Sequence, residues 1–466
     1  MPSSEMSGPP SRETVVFVAM HAPSVQEFLP IAERLRQEAR FRPLFLYVKS
    51  ADDRVGSIAD STDIEFLFEG GAGLRGEVSG ELLEVRRDGR ALNVLRAILP
   101  RSIRSFLAEF RKLLRIRRRA RRLLETEEVV ALVTVGDRHV GWETALVAQA
   151  RRKGIPTLIA PVAMSAPEGA ARLRRSKTGD YAVGGRLGRQ LLAHLFPRWV
   201  FEDRGRRWFF YLPPTALAAT LLGLMPRDPW TIAGGRAECM AVESEWARRL
   251  YAAQAPAKRL IVTGRPTDDA IHAKATTGRV AEVRAAGGGA RVLLAMPQLV
   301  EHSLLRENEH WEEVGFLLQT ISEAGVGGLT VALHPKSRRS EYEVICTRYG
   351  ATIGEGLSSS LIPKADVFVA TFSTLVHRAI ALGKPTVVVD FYDLGYTVFD
   401  DAPGVFVVRE KEGLGPLLRT LRPGLPAYED AVTAQRSEGA DWALLDGRCT
   451  ERVARLLESM IDGRFT

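Results

Sequence analysis

Short apolar runs alternating with segments of helical periodicity constrain this chain more than any other feature. Thr14–Met20 (TVVFVAM) is continuously apolar, as expected of a strand buried on both faces of a parallel sheet. Pro23–Gln37 follows with helical spacing and Pro43–Val48 (PLFLYV) forms the next strand, a βαβ opening. Further strands are predicted at Val129–Val135, Thr157–Pro161, Cys239–Val242 and Leu260–Val262, with helices over about 140–153 and Glu245–Ala253. Ala285-Ala286-Gly287-Gly288-Gly289 then breaks the pattern, which puts a domain boundary between Pro266 and Gly289. A second βα series has strands at Arg291–Ala295, Thr330–Leu333, Val367–Ala370 and Pro385–Asp390. Its helices are Leu304–Ala324 and Leu375–Leu382, with a tail helix at about Trp442–Ile461. The expected class is α/β: two Rossmann-like αβα domains with parallel sheets facing a central cleft. They cover about 13–270 and 285–440, between a disordered 1–12 and a C-terminal helix in 441–466. No internal repeat occurs, and no GxGxxG follows the first strand.

Composition narrows the class. The chain has 466 residues, 45% hydrophobic and 26% charged, too apolar for intrinsic disorder. Cys239, Cys346 and Cys449 lie far apart, with no CxxC or Cys/His spacing; this excludes a disulfide framework and fits a reducing cytoplasm. Met1–Arg12 is rich in Pro, Ser and Gly without an apolar run, so no secretory signal is expected.

The net charge of +8 is concentrated. Arg101–Arg122 holds ten Lys/Arg and one acid, Glu109, while the rest of the chain is near −1. Ile103, Phe106, Leu107, Phe110, Leu113 and Leu114 recur there at helical spacing. A basic amphipathic helix suits an anionic membrane surface, and equally a core-packed helix with a solvated basic face. No nucleic-acid motif accompanies the charge, so nucleic acid is not an expected partner. Trp208–Met225 (WFFYLPPTALAATLLGLM) is uncharged and nearly long enough to span a bilayer, but Pro213 and Pro214 divide it. A buried or interfacial helical hairpin is expected, making with the basic helix a peripheral membrane face on the inner side of the membrane.

Ligands of open parallel sheets sit at the carboxyl ends of strands, so the residues just after each strand are the candidates. His334-Pro335-Lys336 offers an imidazole and an ammonium to an anion such as a nucleotide phosphate. Phe372-Ser373-Thr374 opens a helix, where Ser or Thr caps it and free N–H groups accept a phosphate. Asp137-Arg138-His139 with Glu143 puts acids, a guanidinium and an imidazole at one strand end. Asp137 or His139 would be a general base, Arg138 a holder of phosphate or acid sugar, against the alternative of a structural salt bridge. His21 follows the first strand and is expected to face the same cleft. Glu301 and His302 follow Pro297, with His310 beyond, but without an HExxH pattern, so no metal site is expected. Glu168 is a further candidate acid or base, Asp390 a holder of a sugar hydroxyl, His377 a packing residue and Gly264-Arg265-Pro266 a hinge.

Ala241–Ile271 (AVESEWARRLYAAQAPAKRLIVTGRPTDDAI), the His334-Pro335 turn and Ala365–Val389 (ADVFVATFSTLVHRAIALGKPTVVV) together resemble the GT-B superfamily. It includes nucleotide-sugar glycosyltransferases and UDP-N-acetylglucosamine 2-epimerases. Val133–Ile159 (VTVGDRHVGWETALVAQARRKGIPTLI) is similar to the 2-epimerase GDR-plus-Glu region, matching Asp137, Arg138 and Glu143. Other epimerase motifs are replaced, by Pro161-Val162-Ala163-Met164, by Pro297–His302, and by Phe372-Ser373-Thr374 with His377-Arg378-Ala379. Bacterial surface-polysaccharide transferases, including those using CMP-activated acid sugars, pair an His-Pro motif with a later Ser/Thr motif. His334-Pro335 and Ser373-Thr374 resemble that pair.

The resemblance implies a nucleotide-sugar-dependent glycosyltransferase of surface polysaccharide or glycoconjugate synthesis. His334, Lys336, Ser373 and Thr374 would hold the donor, with no obligatory metal and no cofactor beyond that donor. Asp137, Glu143 or His139 would activate a glycan or lipid-linked acceptor, and closure around the hinge would exclude water. The alternatives are a 2-epimerase-like enzyme and a non-catalytic nucleotide-binding module. Nucleotide base, sugar, acceptor, stereochemical course and oligomeric state stay open.

Overall fold

The computed structural model describes residues 12–49, 53–69, 100–162, 167–176, 178–185, 187–255, 259–278, 289–300, 304–334, 337–371, 373–392 and 397–465. They fall into two units. The first comprises Met1–Val242, Arg249–Ile261 and Thr450–Thr466; the second comprises Glu243–Arg248 and Val262–Cys449.

The first stretch of chain runs β1 (Glu13–Ala19), α1 (Ala22–Arg36), β2 (Phe41–Tyr47), α2 (Asp53–Ser61), β3 (Glu65–Phe68), α3 (Arg101–Thr126), β4 (Val129–Thr134), α4 (Trp142–Lys153) and β5 (Thr157–Ile159). It continues through α5 (Pro167–Ser176), α6 (Leu187–Leu195), β6 (Val200–Asp203), β7 (Arg206–Phe209), α7 (Pro213–Leu221), β8 (Cys239–Val242), α8 (Glu245–Gln254) and β9 (Arg259–Val262). Seven strands form one sheet in the order β3-β2-β1-β4-β5-β8-β9, parallel from β3 through β8. Pro43 sits inside β2 opposite Val15, but β3 begins pairing only at Leu44, so its missing N–H interrupts nothing on that side.

Successive side chains of a strand point to opposite faces, and both faces here are covered. Val15, Phe17 and Ala19 pack with α1, while Val16 and Val18 pack with Leu113 and Ile116 of α3 and Leu146 of α4. Each such buried side chain contributes about 1.5–3 kcal/mol by leaving water.

The second unit holds α9 (Asp269–Gly278), β10 (Arg291–Ala295), α10 (Glu307–Glu323), β11 (Gly328–Ala332), α11 (Arg339–Arg348), β12 (Ala351–Ile353), α12 (Ser358–Leu361), β13 (Val367–Ala370), α13 (Leu375–Ala381), β14 (Thr386–Val389), β15 (Val405–Val408), α14 (Lys411–Thr420) and α15 (Pro426–Trp442). Its six strands are ordered β12-β11-β10-β13-β14-β15, all parallel.

Three expectations change. The tail helix expected at about Trp442–Ile461 starts only at Cys449, as α16 (Cys449–Ile461), and α15 precedes it. α16 returns to the first unit, where Val453, Ala454 and Leu457 join the core of β1 and α1 and Glu451 meets Arg34 at 2.7 Å. The chain also passes between units at Ile261–Val262, upstream of the predicted boundary, whose residues 279–288 lie outside the described ones. Finally, the apolar stretch Trp208–Met225 is not a helical hairpin. It is the end of β7 followed by α7, with Pro213 opening the helix, and it is largely core. Trp208, Phe209 and Phe210 are buried, as are Ala216, Ala218 and Ala219. Among the described residues no helix is long and apolar enough to cross a membrane.

Candidate active site

Each of the two large sheets has one point where the strand order reverses, and several of the predicted residues follow the strands on either side of it. In the first unit β1 lies between β2 and β4, and Val18 pairs with Thr134. The residues after β1 and after β4, His21 and Asp137-Arg138-His139, therefore flank one topological switch point. In the second unit β10 lies between β11 and β13, so His334 and Ser373 follow the two strands that flank β10.

At the first switch point the four polar residues do different work. Asp137 is 1% exposed. Its Oδ1 accepts the Gly235 N–H at 2.8 Å and its Oδ2 the Ala237 N–H at 2.9 Å, so the carboxylate braces the loop before β8. A Cβ on Gly235 would lie 2.0 Å from the Asp137 carbonyl oxygen, which restricts that position to glycine. Arg138 is 6% exposed. Its Nη1 donates to the Trp230 carbonyl at 2.7 Å, and its guanidinium lies over the Phe210 ring. Burial holds its pKa below the ordinary arginine value.

Glu143, in the first turn of α4, has a side chain only 1% exposed. Its Oε1 accepts the His139 N–H at 3.0 Å, and its Oε2 lies 3.3 Å from His139 Nδ1. The His139 side chain is 42% exposed. In the tautomer that donates Nδ1–H to the carboxylate, Nε2 is the acceptor. Tyr211 fixes the next peptides: its hydroxyl donates to the Arg138 carbonyl and accepts the Val140 N–H, and burial pushes its pKa up. Sequence reasoning passed over Tyr211 because it lies some seventy residues downstream in a stretch that reads as purely apolar. His21, exposed at the start of α1, accepts the Ser24 N–H through Nδ1 at 3.3 Å as its helix cap. Glu168 stands exposed in the first turn of α5.

In the second unit His334 is half-buried, and its carbonyl accepts the Ser337 N–H at 2.9 Å, closing a turn directly after β11. Ser373 and Thr374 are half-buried. Ser373 Oγ accepts the N–H of Leu375, the first residue of α13, at 3.2 Å, and Thr374 stands at the N-cap position. Asp390 is 6% exposed at the end of β14. Glu301, His302, Pro335, Lys336 and Phe372 lie outside the described residues. His377 packs: its side chain is 3% exposed and meets Trp246, Phe399 and Trp442 edge-on. His310 also packs, with Nε2 3.0 Å from the Tyr342 hydroxyl. Among the described residues no three His, Cys, Asp or Glu side chains are grouped to hold a metal ion.

The sequence matches no family profile and no curated protein. The architecture does match solved structures along nearly its whole length. One is UDP-GlcNAc 2-epimerase from Neisseria meningitidis bound to UDP-GlcNAc: TM-score 0.52, 13% identity, covering 96% of this chain and 100% of that one. Another is Phytolacca americana UGT2 complexed with UDP-2-fluoro-glucose and pterostilbene: TM-score 0.54, 13% identity, 96% and 99% covered. The fold is GT-B. LpCGTa in complex with UDP is a further match at TM-score 0.51, 13% identity, 97% and 99% covered. Both units are Rossmann-like parallel sheets, and His21, His139, His334 and Ser373 follow strands at their switch points.

Proposed function

We propose that this GT-B chain is a nucleotide-sugar-dependent glycosyltransferase in which His139, oriented by Glu143, is the general base. The observation that carries the proposal is the pairing itself: a solvent-accessible imidazole whose Nδ1 faces a buried carboxylate. In this role Nε2 takes the acceptor hydroxyl proton as that oxygen bonds to the anomeric carbon. The bond from the anomeric carbon to the donor phosphate breaks, and the electron pair leaves on the phosphate. His334, Lys336, Ser373 and Thr374 serve the departing phosphate electrostatically. Asp137 and Arg138 take structural roles, tying this strand end to residues 230–237. Likeness to structures bound to UDP or UDP-sugars supports a nucleotide-sugar donor. The acceptor class, a surface glycan or lipid-linked sugar, belongs to the same proposal.

The engagement of Asp137 by two main-chain N–H groups favours this reading over 2-epimerisation, because it ties up one of the residues that resembles the epimerase set. Proton NMR of UDP-N-acetylglucosamine with the protein and no acceptor tests it. An unchanged sugar spectrum is expected. Formation of the manno epimer would make the chain an epimerase. Titration with UDP tests the donor site. His334→Ala and Ser373→Ala should each weaken binding, and wild-type affinity in both variants would sink the donor assignment.

A further inference from the structure

Helix α6 is apolar on two faces, and only one of them is covered. Leu192, Ala193 and Phe196 pack into the core beneath the sheet. Leu187, Leu191 and Leu195, spaced i, i+4, i+8, are 85%, 59% and 58% exposed. Residues at that spacing form one ridge, and an exposed leucine ridge marks an interaction surface. The segment that carries it, residues 172–207, holds ten Lys/Arg against three acids, among them the exposed Arg198, Arg206 and Arg207. The other basic element, α3, packs on the same core cluster through Phe106, Phe110 and Leu114. Its first twelve residues include no buried one, and Ile103 is 43% exposed. Both helices pack on the same core cluster of the first unit, and outside residues 101–122 and 172–207 the chain is net acidic.

We infer that this layer of the first unit docks on an anionic lipid bilayer, with the Leu187–Leu191–Leu195 ridge entering the headgroup region and the surrounding arginines meeting lipid phosphates. A second copy of the chain would bring like charges together, whereas an anionic bilayer complements both the apolar ridge and its basic surround. The core-bound Trp208–Met225 stretch takes no part. Docking does not depend on the reaction proposed above.

The test is co-sedimentation of the full chain with phosphatidylcholine vesicles, with and without phosphatidylglycerol. Binding is expected only to the phosphatidylglycerol vesicles, and it should fall as salt rises from about 0.1 M to about 1 M. Leu191→Gln with Leu195→Gln should cut that binding about tenfold with an unchanged melting temperature, since both side chains are exposed. No binding to anionic vesicles would overturn the inference, as would undiminished binding of the double variant. So would a wild-type dimer in sedimentation velocity that the double variant dissolves, which would identify a second copy as the occupant.

Discussion

Glu143 contacts His139 twice, at the main-chain N–H and at ring Nδ1. One carboxylate therefore sets both the position of the loop after β4 and the direction of the imidazole on it. Loss of that carboxylate should be felt in turnover before it is felt in binding. Glu143→Gln is expected to lower kcat for transfer by about 10²-fold, and His139→Asn by about 10³-fold, with donor KM unchanged in both. Steady-state kinetics with a competent donor and acceptor reads this. A raised KM with normal kcat would assign the pair to substrate binding instead.

Asp137 should behave as a structural residue. Both of its oxygens accept main-chain N–H groups across the loop before β8, and asparagine would turn an NH2 toward one of those donors. Asp137→Asn is expected to lose about 2–3 kcal/mol of stability. Denaturant unfolding measures the loss, and residual folded protein should keep its turnover. A variant that is fully stable but inactive would return Asp137 to the chemistry.

His377 gives the second unit an acid sensitivity. Burial, with Arg378 and Arg265 adding to it, pulls its pKa down to about 3 from the usual 6.5. The ring is therefore neutral, and its 3.7 Å approach to Glu243 is not an ion pair. Between those two values the unfolded chain carries a proton that the folded chain does not. Stability contributed by the neutral ring is complete above about pH 6.5 and falls by up to about 1.4 kcal/mol per pH unit below it. His377→Phe should flatten the stability curve between about pH 7 and about pH 5. Parallel curves for the two proteins would show that the ring stays solvated or paired.

Gly264 lies where a hinge is expected from the sequence, but its surroundings are close. Its φ is +76°, and a Cβ there would meet Cys449 Sγ at 2.3 Å and Leu444 Cβ at 3.1 Å. Gly264→Ala is expected to cost about 3 kcal/mol from left-handed backbone strain and overpacking together. Adding Cys449→Ala should recover only the packing share, leaving about 1–2 kcal/mol. Full recovery, or none, in thermal unfolding would show that one of the two terms is absent.

The long central strands were legible because a strand buried on both faces is apolar throughout. Cys239–Val242, Arg291–Ala295 and Val367–Ala370 lie where the apolar runs place them. The edge strands β3, β12 and β15 were not. They are three or four residues long, and each lies at the rim, paired only with the strand before it in the chain. The second strand of the β6–β7 hairpin ends inside the Trp208–Met225 stretch, which reads as a helical hairpin.

Sequence alone pointed to an α/β chain in two Rossmann-like halves, placed His21, Asp137–His139, His334 and Ser373 just after strands, and showed that the charge is concentrated. Those facts follow from local periodicity and from the rule that a parallel strand ends at a loop. Only the tertiary structure decided what each polar residue does. Asp137 and His139 are two residues apart in the chain, yet one is locked by a loop almost a hundred residues later while the other keeps an exposed ring. It also sent the apolar Trp208–Met225 stretch inward and the α6 leucines outward. A helix's hydrophobicity does not say which of its faces finds a partner; burial is set by what the rest of the chain brings against it.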